Sequence, residues 1–150
     1  MNPSEPTRPK QESTPTTAAV FNLTEIAAAF PAAAETLLID TRLTEEPAAS
    51  ARVFRVYHPA PAHFHATCDE YLYVLSGRAK FFLRDEAPFE LGPGQLIFFK
   101  KGTVHGTPEI LEHPFVVFAV DTPRRDPSDV IFVNPADGTP ESFIQSQVLY

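Results

Sequence analysis

The chain has 150 residues, of which 43% are hydrophobic, and its formal net charge is −7. This length and composition fit one globular domain with its own core and exclude a chain that is disordered throughout. Clustered basic residues are the usual footprint of nucleic-acid binding, and the longest basic runs are the pairs Lys100-Lys101 and Arg124-Arg125. We therefore predict that the protein has no nucleic-acid partner.

The cysteine content and the apolar runs indicate the compartment. Cys68 is the only cysteine, so no intramolecular disulfide can form, and nothing points to an oxidising compartment. The first 20 residues lack the basic and apolar regions of a signal peptide. No segment approaches the ~18 consecutive apolar residues that cross a bilayer. We expect a cytoplasmic protein with no membrane contact, in which Cys68 is a small buried residue.

The N-terminal segment predicts a tail and then one helix. Residues 1–17 are rich in Pro, Ser and Thr, which predicts a disordered tail before a single domain over residues 18–150. A short helix is predicted over Asn22–Phe30, because Asn22 can cap it and an apolar stripe follows with helical spacing. Pro31 then ends the helix, since the residue before a proline avoids the helical conformation.

The remainder predicts short strands separated by Pro-, Gly- and Asp-containing breaks. This pattern is typical of an all-β sandwich or barrel. The predicted strands are Thr36–Leu43, Ala51–His58, Glu70–Leu75, Ala79–Arg84, Gln95–Lys100, Pro114–Asp121 and Asp129–Val133. We place a turn at Ser76-Gly77-Arg78 and assign no regular structure after Asn134.

Alternation along a strand predicts which side chains face the interior. If Glu70 points inward, then Leu72 and Val74 do so too, and Tyr71 and Tyr73 face outward. Four further residues are expected to build the barrel core: Phe81, Phe98, Val116 and Phe118.

Three histidines and one glutamate have the spacing of a metal site. His63 and His65 are two residues apart, so on a strand they share a face, with Cα atoms roughly 6.6 Å apart. Glu70 follows after four residues, which is enough chain to return a carboxylate to the same point, and His105 comes much later. Of the remaining histidines, His58 is expected on the surface or next to a ligand residue, and His113 is expected in solvent.

The donor set indicates which ion would bind. Three imidazoles and one carboxylate suit Fe, Mn, Ni, Cu or Zn. Four protein ligands leave positions open on a five- or six-coordinate ion, which favours a catalytic or ligand-binding centre over a closed structural one. We predict one divalent transition metal ion held by His63, His65, Glu70 and His105, and a small-molecule ligand or substrate beside it. No catalytic side chain is assigned.

Two segments resemble the metal-binding motifs of the cupin superfamily. HFHATCDEYLYVLSG (His63–Gly77) is similar to the first motif, in which His-X-His is followed by four residues, Glu, six residues and Gly. GQLIFFKKGTVH (Gly94–His105) is similar to the second motif, although Lys100 stands where proline is usual. The resemblance covers about Arg52–Val120. It implies an all-β double-stranded β-helix, the cupin or jelly-roll barrel, with the metal inside its open end.

A fold of this kind does not dictate one reaction. The leading prediction is a metal-dependent enzyme of the dioxygenase, isomerase or lyase type, acting on a small polar organic molecule. Two alternatives remain open: a non-enzymatic binding or sensing domain that uses the metal as an anchor, and a structural barrel without metal. The resemblance also implies a homodimer, for which Leu37–Leu43 is the candidate pairing strand.

Overall fold

A computed structural model describes residues 17–148 of the chain. The tail predicted over residues 1–17 therefore lies, apart from Thr17, outside the described residues, and the division into a tail and one domain stays a prediction. The first element is helix α1 (Leu23–Ala28), where the Asn22 side chain accepts a hydrogen bond from the backbone N–H of Glu25. The predicted helix is confirmed, with Asn22 as its cap.

Strands make up most of the remaining structure. The strands of the described chain are β1 (Leu38–Glu46), β2 (Ala49–Val56), β3 (Ala60–Phe64), β4 (Asp69–Leu83), β5 (Phe89–Leu91), β6 (Leu96–Phe99), β7 (His105–Thr122), β8 (Ile131–Phe132) and β9 (Ile144–Val148). A short 3-10 helix (Pro135–Asp137) and helix α2 (Pro140–Phe143) precede β9. The sheet order is β5-β4-β7-β2-β1-β9, with β6 also on β4, and with β3 between β7 and β8. The all-β prediction is confirmed.

The long strands β4 and β7 pair with each other along most of their length. The ladder runs from Asp69 opposite Thr122 to Leu83 opposite His105. The predicted turn at Ser76-Gly77-Arg78 is wrong, because β4 continues through it. Gly77 instead adopts a positive φ of 76° where the register shifts, so it marks a bulge within one strand rather than a hairpin.

Three strands lie outside the predicted ones: β3, β5 and β9. Two of them, β3 and β9, are defined by distant partners. The segment of β3, predicted as a proline-containing break, pairs with β7 and β8. The segment of β9, for which no structure is predicted, pairs in parallel with β1. Strand β1 is thus hydrogen-bonded to β2 on one side and to β9 on the other, so it offers no free edge for pairing with a second copy. A homodimer stays a prediction.

The side chains of β4 alternate as predicted. Leu72 and Val74 are buried, whereas Tyr71 and Tyr73 are 41% and 39% exposed. The prediction for Phe98 is wrong, because it is 43% exposed and its ring packs on that of Tyr71 with centroids 4.8 Å apart. Along the continuously apolar β6, the inward positions belong to Ile97 and Phe99 instead.

The core has two parts, one inside the barrel and one between the sheet and α1. Phe81 belongs to the interior cluster, as predicted, together with Phe54, Leu72 and Phe115. Val116 is fully buried, but it lies in the second cluster, where half-buried Phe118 also packs. The predicted burial of Cys68 and exposure of two histidines are confirmed: His58 and His113. Within residues 17–148, no helix has the length and apolar character that crossing a membrane requires.

Candidate metal centre

His63, His65 and His105 converge in the barrel interior. His63 lies on β3 directly opposite His105, the first residue of β7, and His65 follows β3 directly. All three side chains are buried, and one ring nitrogen from each lies within 4.8 Å of those of the other two. The structure therefore places a three-histidine group where it is positioned to hold a metal ion.

Each of these rings is oriented by a hydrogen bond from its Nδ1 atom. The Nδ1 atoms lie 2.7–2.9 Å from three backbone carbonyl oxygens, those of Pro61, Asp129 and Thr103. Because a carbonyl oxygen only accepts, each Nδ1 must carry the hydrogen, which leaves the lone pair on Nε2. Hydrogen bonding of the outer nitrogen in this way is what orients histidines that bind metals.

The three rings are also uncharged at neutral pH. Burial, together with the neighbouring imidazoles and Arg125, lowers the pKa of His63, His65 and His105 to about 3. A histidine must be neutral to bind a metal ion. Burial, tautomer and convergence together show that these residues fit a divalent transition metal.

Aromatic side chains hold two of the rings in place. The ring of Phe99 is stacked on that of His105, with centroids 4.0 Å apart and an angle of 10° between the planes. Phe143, from α2 near the C-terminus, meets the ring of His63 edge-on at 4.8 Å. The site is thus packed by residues from distant parts of the chain.

Glu70 lies at the edge of the histidine group. It is buried on β4, and its Oε1 is 3.7 Å from Nε2 of His65. Its other oxygen, Oε2, accepts a hydrogen bond from Nη2 of Arg52 at 3.1 Å. The structure brings the predicted fourth ligand beside the other three, and its binding to the metal stays a prediction.

A buried charge cluster behind Glu70 was missed by the sequence analysis. Arg52 donates from Nη1 to Asp40 at 3.2 Å, from Nη2 to Glu70 and from Nε to Asp121 at 3.0 Å. Burial opposes the charge of Arg52, yet the surrounding carboxylates raise its pKa above the ordinary value. Burial also raises the pKa of Asp121, which Arg52 counteracts. A sequence signal did exist, because Arg52 shares the inward parity of Phe54 in β2.

The histidines open onto a cavity of about 470 Å³, a volume that includes solvent at its mouth. The polar lining consists of the histidines, Glu70, Thr107, Arg52 and Arg125, and most of the remaining wall is apolar, including Phe54, Val56, Leu72 and Phe81. A small organic molecule with few polar groups suits such a lining.

Comparison with known proteins agrees with this geometry. A family model described as the cupin domain matches residues 54–121, a segment that contains all three histidines and Glu70. No curated protein matches the chain.

Solved structures share the fold. KdgF from Halomonas sp. is 26% identical with a TM-score of 0.54, covering 58% of this chain and 81% of that one. DMSP lyase DddQ from Ruegeria pomeroyi is 26% identical with a TM-score of 0.52, covering 60% and 45%. A double-stranded β-helix protein from Klebsiella pneumoniae subsp. pneumoniae is 22% identical with a TM-score of 0.60, covering 71% and 91%. Residues 54–121 therefore match the cupin domain, and the chain has the double-stranded β-helix fold of the cupin superfamily.

Proposed function

We propose that this protein is a metal-dependent enzyme that acts on a small polar organic molecule inside the barrel. The observation that supports it is the set of three buried, neutral imidazoles beside a cavity, each with one ring nitrogen within 4.8 Å of those of the other two. When bound there, a divalent ion supplies Lewis-acid polarisation of a substrate carbonyl or carboxylate oxygen.

The protein's own residues have three tasks in this proposal. The histidines hold the ion, and Phe99 and Phe143 keep two of their rings in position. The apolar wall excludes water from the substrate, which strengthens electrostatic interactions at the site. Glu70 is proposed as the fourth ligand through Oε1, while its bond to Arg52 through Oε2 fixes the direction of the carboxylate.

Among the predicted reaction types, the comparisons support the lyase type. The name of the similar protein from Ruegeria pomeroyi states that it is a lyase of DMSP, and it is 26% identical over 60% of this chain. We propose lyase chemistry as the first to assay, with isomerase and dioxygenase activity next.

A binding or sensing domain that uses the metal as an anchor is the second candidate, and one observation favours it. The carboxylates of Asp40, Glu70 and Asp121 each place one oxygen on Arg52. None of these three carboxylates is therefore without an ion pair beside the histidines. The binder and the enzyme share the metal centre and differ only in turnover.

Elemental analysis of protein purified without chelator or polyhistidine tag tests the metal centre. We expect close to one Fe, Mn, Ni, Cu or Zn ion per chain, and its loss in His63→Ala and His105→Ala with an unchanged circular dichroism spectrum. His113→Ala, on the surface, is the matched control. A metal content equal to wild type in both site variants would refute the centre and leave the metal-free barrel.

The ligand role of Glu70 has its own matched pair of variants. Glu70→Gln removes one charge at constant size and is expected to weaken metal binding by more than the roughly 10–100-fold that follows loss of a residue that only orients a ligand. Asp69→Asn changes the adjacent carboxylate, which accepts a hydrogen bond from the backbone N–H of Lys101, and should leave the affinity unchanged. Equal affinities for the two variants would exclude Glu70 as a ligand.

A further inference from the structure

Two guanidinium groups line the cavity of the metal centre, and they differ in their partners. Arg52 is engaged through all three of its nitrogens, with one carboxylate on each, from Asp121, Asp40 and Glu70. An additional anion would compete with three that are already bound. Arg52 therefore belongs to the architecture of the site rather than to ligand recognition.

Arg125 has no such partners. It is only 7% exposed, and its backbone N–H donates to Oγ of Ser50 at 3.3 Å. Its guanidinium makes no hydrogen bond or ion pair with any residue in the described range 17–148. Arginine keeps its charge in proteins, and a buried charge without a partner is unfavourable. The unpaired cation beside the cavity is thus a group whose stabilising partner is missing from the described part of the chain.

The electrostatic surroundings of Arg125 agree with this description. Burial and the charge of Arg52 lower the pKa of Arg125. The pKa of Arg125 is raised by three carboxylates, those of Asp121, Glu70 and Asp40, but none of them lies within ion-pair distance of its guanidinium. These carboxylates form their ion pairs with Arg52. An anion in the cavity would supply the ion pair that Arg125 lacks.

The loop that carries Arg125 is fixed relative to the histidines. Near its start, the backbone N–H of Arg124 donates to the carbonyl of Pro47 at 3.3 Å. At its end, the carboxylate of Asp129 accepts hydrogen bonds from the backbone N–H groups of Ala66 and Thr67, and its carbonyl accepts from Nδ1 of His65. The same loop therefore orients a metal-binding imidazole and presents Arg125 to the cavity.

We propose that Arg125 binds a carboxylate group of the substrate, which makes the substrate a small organic acid. The inference rests on the proposed function, since it assigns the substrate class of that same site. A guanidinium matches a carboxylate with two parallel hydrogen bonds, which fixes orientation as well as affinity. The apolar wall accommodates the carbon skeleton, and a second oxygen group of the acid faces the histidines.

Calorimetric titration with oxo acids tests this assignment. The probes are pyruvate, 4-oxopentanoate and 5-oxohexanoate, each compared with its own uncharged amide, on zinc-loaded and on metal-free protein. At least one acid should bind roughly tenfold or more tightly than its amide, which corresponds to one charge-assisted hydrogen bond. Arg125→Gln should abolish this preference, Arg125→Lys should retain part of it, and Arg124→Gln, the exposed neighbour, should keep all of it.

A stability measurement separates ligand recognition from a structural role. Because Arg125 has no partner in the described chain, Arg125→Gln should unfold at the same urea concentration as wild type or a higher one. The assignment is overturned if Arg125→Gln keeps the preference for the acid or if no acid binds better than its amide. It is also overturned if inorganic phosphate displaces the acid more effectively than acetate does.

The titrations also distinguish this proposal from the proposed function. A preference that depends on Arg125 in a protein that takes up no metal would uphold the carboxylate site and refute the metal-dependent enzyme. Full zinc content in a protein with no such preference would support the metal centre and refute the carboxylate site. Zinc content itself should be the same in wild type and Arg125→Gln, because Arg125 is not a ligand.

Discussion

At the scale of single residues, the metal centre depends on nitrogens that never touch the metal. Each histidine donates from Nδ1 to a backbone carbonyl, so the orientation of the ring is set by the path of the chain. Because the acceptor is an uncharged carbonyl, it adds no charge to the site. Two of the acceptors, Pro61 and Thr103, lie two residues before the histidine that they orient. The third, Asp129, comes from the loop that also carries Arg125. The lone pairs are thus aligned before any ion arrives.

These buried rings predict how stability depends on pH. Burial lowers the pKa of His63, His65 and His105 to about 3, whereas an unfolded chain binds protons at its histidines near pH 6.5. Between these two values the unfolded state holds more protons, so the free energy of unfolding must fall as the pH falls. We expect the urea midpoint of metal-free protein to decrease steadily from pH 7 to pH 4.

A pair of variants identifies the histidines responsible. His105→Gln should reduce the slope of stability against pH, since it removes one of the three groups. His113→Gln, which changes an exposed histidine, should leave the slope as in wild type. Equal slopes in all three proteins would show that other groups control the acid sensitivity.

At the scale of elements, Arg52 connects four strands. It stands on β2 and its carboxylate partners stand on β1, β4 and β7, all with side chains that are nearly inaccessible to solvent. Removing one partner of a buried ion pair costs about 3–5 kcal/mol, because the other charge is left uncompensated. Arg52→Met should therefore lower the free energy of unfolding by about this amount in urea titrations.

Arg78 provides the matched comparison for Arg52. It also pairs with two carboxylates, those of Glu90 and Glu112, but this ion-pair group lies exposed on the surface. Solvent screens such pairs, so Arg78→Met should change stability little. If both substitutions had the same effect, the buried network would not be what holds these strands together.

Gly77 shows what the glycine of the first motif does in the ladder of β4 and β7. A Cβ at this position would lie 2.5 Å from the carbonyl oxygen of Glu112, and Pro114 O and Phe115 Cα would also be in close contact. Gly94 has a similar positive φ, but a Cβ added there would meet no atom within 4 Å. Gly94→Ala should cost only the backbone strain, about 1–2 kcal/mol.

Gly77→Ala should produce the same backbone strain as Gly94→Ala and, in addition, a collision with the backbone of β7. Overpacking of this kind lowers the free energy of unfolding by about 1–3 kcal/mol more. Urea titrations of the two variants measure the difference directly. Equal losses in Gly77→Ala and Gly94→Ala would mean that only the positive φ matters, and that β7 yields without cost.

At the scale of the whole molecule, the features that could be predicted are those that depend on the spacing of residues close together in the sequence. His63, His65 and Glu70 lie within eight consecutive residues, and alternation in β4 assigned Leu72, Val74 and both tyrosines to the correct faces. The position of Phe98 could not be assigned in this way, because a run of four apolar residues in β6 has the same composition on both faces.

The other principal features that were missed depend on contacts between distant segments. Strand β9 exists through its pairing with β1, about a hundred residues earlier in the chain. Arg52 is satisfied by acids from three other strands, and Phe143 reaches His63 from near the C-terminus. No local pattern states which distant side chains will meet, so the charge cluster and the isolated cation of Arg125 emerge only in three dimensions.

The same distribution of residues makes metal binding a property of the whole fold. The three histidines come from β3, the segment after it and β7, which the unfolded chain does not hold together. An ion that binds the folded state alone stabilises it by about 2.7 kcal/mol at a hundred times its dissociation constant. In a domain of this size that corresponds to a rise in Tm of about 5–10 °C.

Thermal unfolding of metal-free protein with and without Zn²⁺ should show this rise in wild type and in His113→Ala, but not in His105→Ala. A rise that persists in His105→Ala would place the ion elsewhere on the protein.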